Sequence, residues 1–317
     1  MAVTATAERL LAAEDLLAAA RSVTVTFDRI PSEPVSVADA AEISRADAAR
    51  IARRYQGHGF AIIRVSPGTA SPDTLLAMAR SLCLGPAFVP PLYSIGGRQA
   101  PPVSRISAAA NVRTAFASHP SFGRSVGQAL HCDGTLQDIG FIKASLLLCE
   151  TPAAEGGDTT LFNTSAAIAE LVRTDLLAAR ALAAPGTLIR TANINGCTDS
   201  NAGPAVTVQN GHLVCRYCVT DTDSWAVPDG TDGADLRRGV EFLTEASRPG
   251  SPYFTLLHLG RDEAIVFDNT SISHGRTGYR DTAALRRCLY RSLHLRHPKV
   301  RVSVSDVLSD RTREQAA

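Results

Sequence analysis

A chain of 317 residues in which 45% are hydrophobic and 20% charged has the make-up of a globular protein that can bury a sizeable core. With 32 Lys and Arg against 31 Asp and Glu the formal charge is +1, which excludes a bulk electrostatic pull toward nucleic acid or a membrane surface, so anion recognition must be local. The seven cysteines are odd in number, scattered and mostly set in apolar runs, and suit a reducing cytoplasm better than a disulfide framework.

The N-terminal stretch MAVTATAERLLAAEDLLAAA is rich in Ala and Leu but interrupted by Glu8, Arg9, Glu14 and Asp15, and it lacks the basic start and unbroken apolar core of a secretory signal. No run reaches membrane-spanning length. The expectation is a cytoplasmic protein without nucleic-acid or membrane partners, working on a small molecule and compatible with a homo-oligomer. Residues 7–21 read as a surface helix and 27–37 as a short, proline-punctuated segment. Residues 44–56 read as a helix capped by Ser44 and stopped by Gly57 and Gly59, and the FAIIRV run at 60–65 as a buried strand. A second helix over 71–84 is capped at Ser71 and closed by Gly85. Residues 86–127, with PPLYSIGG and APPVSRIS, are too rich in Gly, Pro and Ser for regular structure. A loop of that length either serves a site or is a surface excursion.

From 128 onward the texture changes to strands. GFIKASLLLCE is an apolar run bounded by turn residues, and Gly156-Gly157 turns into a second strand. Residues 165–184 read as one helix ended by Pro185-Gly186. Strands then recur at TLIRTANI, AVTVQ, HLVCRYCV, YFTLLHL, EAIVFDN and RRCLYRSLHLRH. Many short strands at modest spacing predict a sandwich or barrel rather than a parallel βαβ sheet. Cys215 and Cys218 form a C-x-x-C with no second ligand pair, so they read as core. The segment DTDSWAVPDGTDG at 221–233 has Trp225 where a calcium loop needs a ligand, and reads as a substrate loop or an ordinary Asp/Gly-rich connection.

His131 is the only one of eight histidines followed two residues on by an acid. In an extended strand His131 and Asp133 would share a face. With His274, in NTSISHGRTGY, they would make two imidazoles and a carboxylate, the donor set of non-heme Fe(II) oxygenases. In the last strong strand, alternation puts Arg287, Leu289, Arg291, Leu293 and Leu295 on one face. Two guanidiniums directed into an apolar interior need a counter-charge, which a dicarboxylate would supply. The other register sends both arginines to solvent and turns Cys288 and Tyr290 inward.

The ordered set of His131-x-Asp133, GGDT, His274 and the arginines at 286–291 resembles the Fe(II)/2-oxoglutarate-dependent dioxygenases of the taurine dioxygenase and clavaminate synthase-like superfamily. The resemblance runs roughly from the strand at 60–65 to His297. It implies a mainly β fold with flanking helices (α+β) around a double-stranded β-helix, the cupin-like jelly roll. A single dioxygenase domain would comprise a helix-rich part (1–85), the long loop region (86–127), the jelly-roll core with an inserted helix and loops (128–297) and a tail (298–317). It further implies His131, Asp133 and His274 as iron ligands and Arg287 as the grip on the distal carboxylate of 2-oxoglutarate. Thr159, or Thr160 beside it, would assist that grip, and O2 would be the second cosubstrate. Arg291 would meet an acidic group of the substrate. Apart from the resemblance, the candidates for the substrate wall are the 86–127 loop, the NINGCTDSN turn at 193–201, and Arg216-Tyr217 with the Asp-rich loop that follows. The reaction implied is hydroxylation of an unactivated C–H in a small polar, amino-acid-like or otherwise anionic metabolite, with release of succinate and CO2. Desaturation, epoxidation or cyclisation are alternative outcomes. Asp133 argues against halogenation, since halogenating relatives replace that carboxylate. A cupin-type isomerase or hydrolase would need no paired arginines, and a 2-oxoglutarate-binding sensor would not need all three metal ligands.

Overall fold

The computed structural model describes residues 13–300 apart from 24–25, 28–29, 31–32, 95–98, 109–123 and 195. Residues 7–12 of the expected first helix, much of the 86–127 loop and most of the 298–317 tail therefore lie outside the described residues. Among those described, no helix is long and apolar enough to cross a membrane.

The N-terminal part follows its punctuation. Helix α1 (Ala13–Arg21) is followed by strand β1 (Val35–Ser36) and helix α2 (Arg45–His58). The Ser44 side chain accepts a hydrogen bond from the Asp47 N–H at 3.1 Å, and Gly59 ends the helix at φ 78°, a left-handed turn that favours glycine. Strand β2 (Phe60–Arg64) pairs in parallel with β1, and helix α3 (Pro72–Ser81) starts at its Ser71 cap with Pro at the first position. The expected irregular stretch contains strands β3 (Ala87–Phe88) and β4 (Ser104–Ile106).

The site-bearing strands come next: β5 (Gln128–His131), β6 (Ala144–Thr151), β7 (Glu155–Gly156) and β8 (Thr159–Asn163). The single helix expected over 165–184 is two helices, α4 (Thr164–Thr174) and α5 (Leu176–Leu182). Asp175 divides them because its backbone leaves the helical region (φ −147°, ψ 81°) and its carboxylate accepts from the Ala178 N–H at 3.0 Å, so it caps a new helix rather than continuing the old one. Strands β9 (Leu188–Thr191), β10 (Ser200–Gly203), β11 (Val206–Gln209), β12 (His212–Cys215) and β13 (Asp223–Trp225) lead into helix α6 (Gly233–Ala246). Helix α6 is not expected from its sequence, because its middle residue is the weak helix former Gly239. A Cβ there would lie 3.0 Å from both the Ala178 carbonyl oxygen and Leu182, so the glycine lets α6 approach α5 closely. The chain closes with β14 (Phe254–Leu257), β15 (Glu263–Asp268), β16 (Ile272–Arg276), β17 (Tyr279–Arg280) and β18 (Cys288–His294).

Two sheets carry the molecule: one in the order β1-β2-β15-β6-β18-β3 with β4 added on β18, the other β14-β8-β16-β5. Strand β6 explains the apolar run of the sequence, since both its faces are buried. Leu146 and Leu148 pack with Ile51, Leu75 and Met78 of the α2–α3 layer, whereas Leu147 and Cys149 share a cluster with Leu161 and Ile272 of the smaller sheet. A third cluster gathers α1, α4, α5 and α6 over Phe162 and Tyr217. Phe162 is fully buried and meets the Tyr217 ring edge-on, with centroids 5.3 Å apart. Phe162→Ala is expected to cost about 3–5 kcal/mol of unfolding free energy in urea titration, and a loss under about 1 kcal/mol would mean the helical layer does not rest on this ring.

Candidate active site

Strands β5 and β16 run antiparallel with His131 directly opposite His274, which is how residues 143 positions apart in sequence come into contact. The ring centroids lie 4.3 Å apart. Strand β5 ends at His131, so Asp133 is presented by the turn beyond the strand rather than by simple alternation. Asn269 holds that turn: its Oδ1 accepts from the Asp133 N–H at 2.8 Å, and its Nδ2 donates to the Asp133 carbonyl at 3.1 Å and the Ile142 carbonyl at 3.2 Å. One ligand atom from each of His131, Asp133 and His274 lies within 4.8 Å of the others, and all three residues are buried. Gly275 is required beside them, because a Cβ would fall 2.5 Å from the Gln128 carbonyl oxygen and 2.7 Å from Thr160 Oγ1.

Electrostatics give these groups the protonation a metal needs. Burial opposes the Asp133 charge, but the Arg291 guanidinium and the Ser145 hydroxyl help to outweigh it and hold the carboxyl well below its usual range. Ser145 Oγ donates to Asp133 Oδ2 and Arg291 Nη1 to Oδ1, each at 2.6 Å. Burial, reinforced by His131, pushes His274 down to about 3, and burial also lowers His131. Two neutral imidazoles therefore face one carboxylate, and the buried His274 Nδ1 has no hydrogen-bond partner. This donor set fits a divalent iron ion.

Two cavities open on the three residues. The smaller, about 40 Å³, is lined by His131, His274, Thr159, Arg276, Arg287 and Leu289 among others; Thr159 lines it and Thr160 does not. Arg287 is buried, its Nη2 donates to the Gly157 carbonyl at 3.3 Å, and its Nη1 is buried without a partner. The GGDT turn makes this fit possible, since a Cβ on Gly157 would lie 2.9 Å from Arg287 Nε. The larger cavity, about 410 Å³, is lined by His131, Asp133, Tyr93, Arg190, Asp223 and Arg291 among others.

Arg291 points inward, although both faces of β18 are buried and Cys288 and Tyr290 are buried as well, and its guanidinium is occupied by Asp133 and by the Tyr93 hydroxyl at 2.9 Å. It stands behind the carboxylate rather than as a simple substrate contact. Arg216 and Tyr217, expected on the substrate wall, do not line either cavity. Strand β12 stops before them; Arg216 Nη2 donates to the Gln137 carbonyl at 2.7 Å and Tyr217 sits in the helical core with its ring near Phe162 and Trp225. The segment 221–233 is not a free loop. Asp221, Thr222 and Asp223 line the larger cavity, and Asp223 holds Arg190 in a buried ion pair at 3.3 Å. Sequence reasoning missed Arg190 and Arg276, whereas Asp223 falls in the segment it read as a substrate loop. The available signal was an arginine inside an apolar strand, TLIRTANI, the same cue that drew attention to Arg287.

The family model described as "Taurine catabolism dioxygenase TauD, TfdA family" matches residues 21–292. A uridine-5'-phosphate dioxygenase of Amycolatopsis sp is 37% identical over 254 residues, covering 79% of this chain and 90% of that protein. A second uridine-5'-phosphate dioxygenase, of Streptomyces sp, is 32% identical over 71% of this chain and 80% of its own length. The solved structure of an asparagine oxygenase in complex with Fe(II), 2S,3S-3-hydroxyasparagine and succinate superposes with a TM-score of 0.54, covering 79% of this chain and 78% of that one; at 18% identity it shows a shared fold.

Proposed function

The chain belongs to the TauD/TfdA dioxygenase family and is an Fe(II)- and 2-oxoglutarate-dependent oxygenase of a small molecule, and from that premise we propose that it hydroxylates a nucleoside 5'-phosphate or a close anionic relative. The observation that carries this reading is the convergence of His131, Asp133 and His274 where a basic-walled cavity meets a second, arginine-lined one. The two curated relatives are named for uridine 5'-phosphate, and Arg124 and the Asp223-paired Arg190 line the larger cavity, where they would offer a phosphate positive charge.

Each part then has a role. His131, Asp133 and His274 hold the iron, which when bound supplies the oxidising chemistry. Ser145, Arg291 and Asn269 aim Asp133 and keep it ionised. Arg287 and Thr159 bind the distal carboxylate of 2-oxoglutarate in the smaller cavity, and the larger cavity places the substrate C–H toward the metal-binding atoms. The two sheets form the faces of a double-stranded β-helix in one catalytic domain. Their facing residues Leu147, Leu161, Ile265, Phe267 and Leu289 support this reading, since they make one apolar cluster. All seven cysteines are free thiols, which suits a reducing cytoplasm.

The test is succinate release from Fe(II) enzyme and 2-oxoglutarate with uridine 5'-phosphate or uridine as the added metabolite. A buried charge-assisted contact to phosphate predicts a preference for the phosphate ester of about tenfold or more. Equal stimulation by the two compounds would remove the phosphate from the proposal.

A further inference from the structure

Arg276 and Arg291 line both cavities, but the Arg291 guanidinium is taken up by Asp133 and Tyr93, whereas Arg276 meets no acid among the described residues. It is 6% exposed, follows a β-bulge after His274, and has a buried Nε without a partner. Its Nη2 donates to the Arg124 carbonyl at 2.9 Å and to the Val126 carbonyl at 2.7 Å. Those carbonyls belong to the exposed segment 124–127, a wall of the larger cavity. The Tyr279 N–H donates to the Ser125 carbonyl at 2.9 Å, so the same short region holds the wall from two sides. The Tyr279 ring in turn lies 4.9 Å from the Arg276 guanidinium and 5.2 Å from that of Arg287.

Two buried guanidiniums thus share one aromatic ring, and among the described residues neither makes a salt bridge to an acid. Each also has a buried N–H without a partner, Nε on Arg276 and Nη1 on Arg287. Like charges placed together out of water oppose each other and their own desolvation unless an anion joins them. The smaller cavity between them, with the Thr159 hydroxyl on its wall, has room only for something narrow.

We propose that Arg276 is a positioning residue that joins Arg287 in binding the distal carboxylate of 2-oxoglutarate and, through its two bonds to the 124–126 carbonyls, sets the wall of the substrate cavity according to cosubstrate occupancy. This rests on the assignment of the smaller cavity to 2-oxoglutarate made above. Arg276 thereby carries occupancy of the smaller cavity to the 124–126 wall of the larger one.

The experiment is limited trypsin digestion of full-length, Fe(II)-loaded protein under argon, following cleavage after Arg124, with calorimetric titration of 2-oxoglutarate alongside. The expected result is that 2-oxoglutarate slows this cut about tenfold, whereas an equal concentration of 2-oxopentanoate, which has a methyl in place of the distal carboxylate, does not. Arg276→Gln is expected to bind 2-oxoglutarate about 10- to 100-fold more weakly and to lose the protection even when saturated. Should that variant not fold, as judged by its melting curve, the comparison of the two acids on the wild-type protein decides alone. Calorimetric binding of 2-oxoglutarate with no change in cleavage, equal protection by both acids, or full binding and protection in Arg276→Gln would overturn the inference while leaving the cosubstrate assignment intact. A wild-type protein that binds no 2-oxoglutarate would overturn both.

Discussion

His274→Ala is expected to abolish Fe(II)-dependent turnover and to weaken Fe(II) binding by well over about 100-fold, since even residues that merely orient metal ligands are worth about 10- to 100-fold. The proposed site has three protein ligands, held within 4.8 Å of one another by the pairing of β5 with β16 and by the Asn269-anchored turn. Removing one imidazole leaves an imidazole and a carboxylate, and nothing within this described cluster replaces it. The variant also leaves Asp133 without the His274 Nε2 that stands 3.7 Å from its Oδ2. Metal content after gel filtration and succinate formation are the readouts. Substantial iron retention with turnover in His274→Ala would remove His274 from the ligand set, and the same logic applies to His131→Ala.

The second large effect is expected at Arg287. Arg287→Ala should raise the 2-oxoglutarate concentration for half-maximal turnover about 10- to 100-fold, the value of a buried charge-assisted contact. Arg286→Ala, one residue away and exposed, should change it less than about twofold. The two side chains differ in facing, not in chemistry, so the pair isolates the direction of the strand entrance. Equal effects would place the cosubstrate elsewhere.

The convergence of residues 131, 133 and 274 was legible in the sequence because few residue types make such a site and only one histidine carried an acid at the right spacing. The inward facing of Arg291 was legible because Leu289 and Leu293 share its face of β18, and Arg287, just before the strand, is buried with it; a charge among leucines demands a partner. What that partner is was not legible for Arg291: its bond to Asp133 joins strands distant in sequence, and alternation says nothing of tertiary contacts. Arg216 and Tyr217 misled for a related reason. They read as a continuation of the strand HLVCRYCV, but the strand ends at Cys215 and the large Tyr217 side chain is drawn into the helical core. Helix α6 was hidden by Gly239, whose role in close packing against α5 appears only once both helices are present. Asp175 broke one helix into two by offering its carboxylate to a new first turn, a local competition that periodicity does not register.

The central claim is that His131, Asp133 and His274 bind one iron ion and that 2-oxoglutarate chelates it from the adjoining cavity. Anaerobic titration of the Fe(II) protein with 2-oxoglutarate, followed in the visible range, tests this most directly. The account predicts a weak metal-to-ligand charge-transfer band that grows to saturation in the wild type and is absent in His274→Ala. A wild-type protein that binds Fe(II) yet develops no such band with 2-oxoglutarate would contradict it.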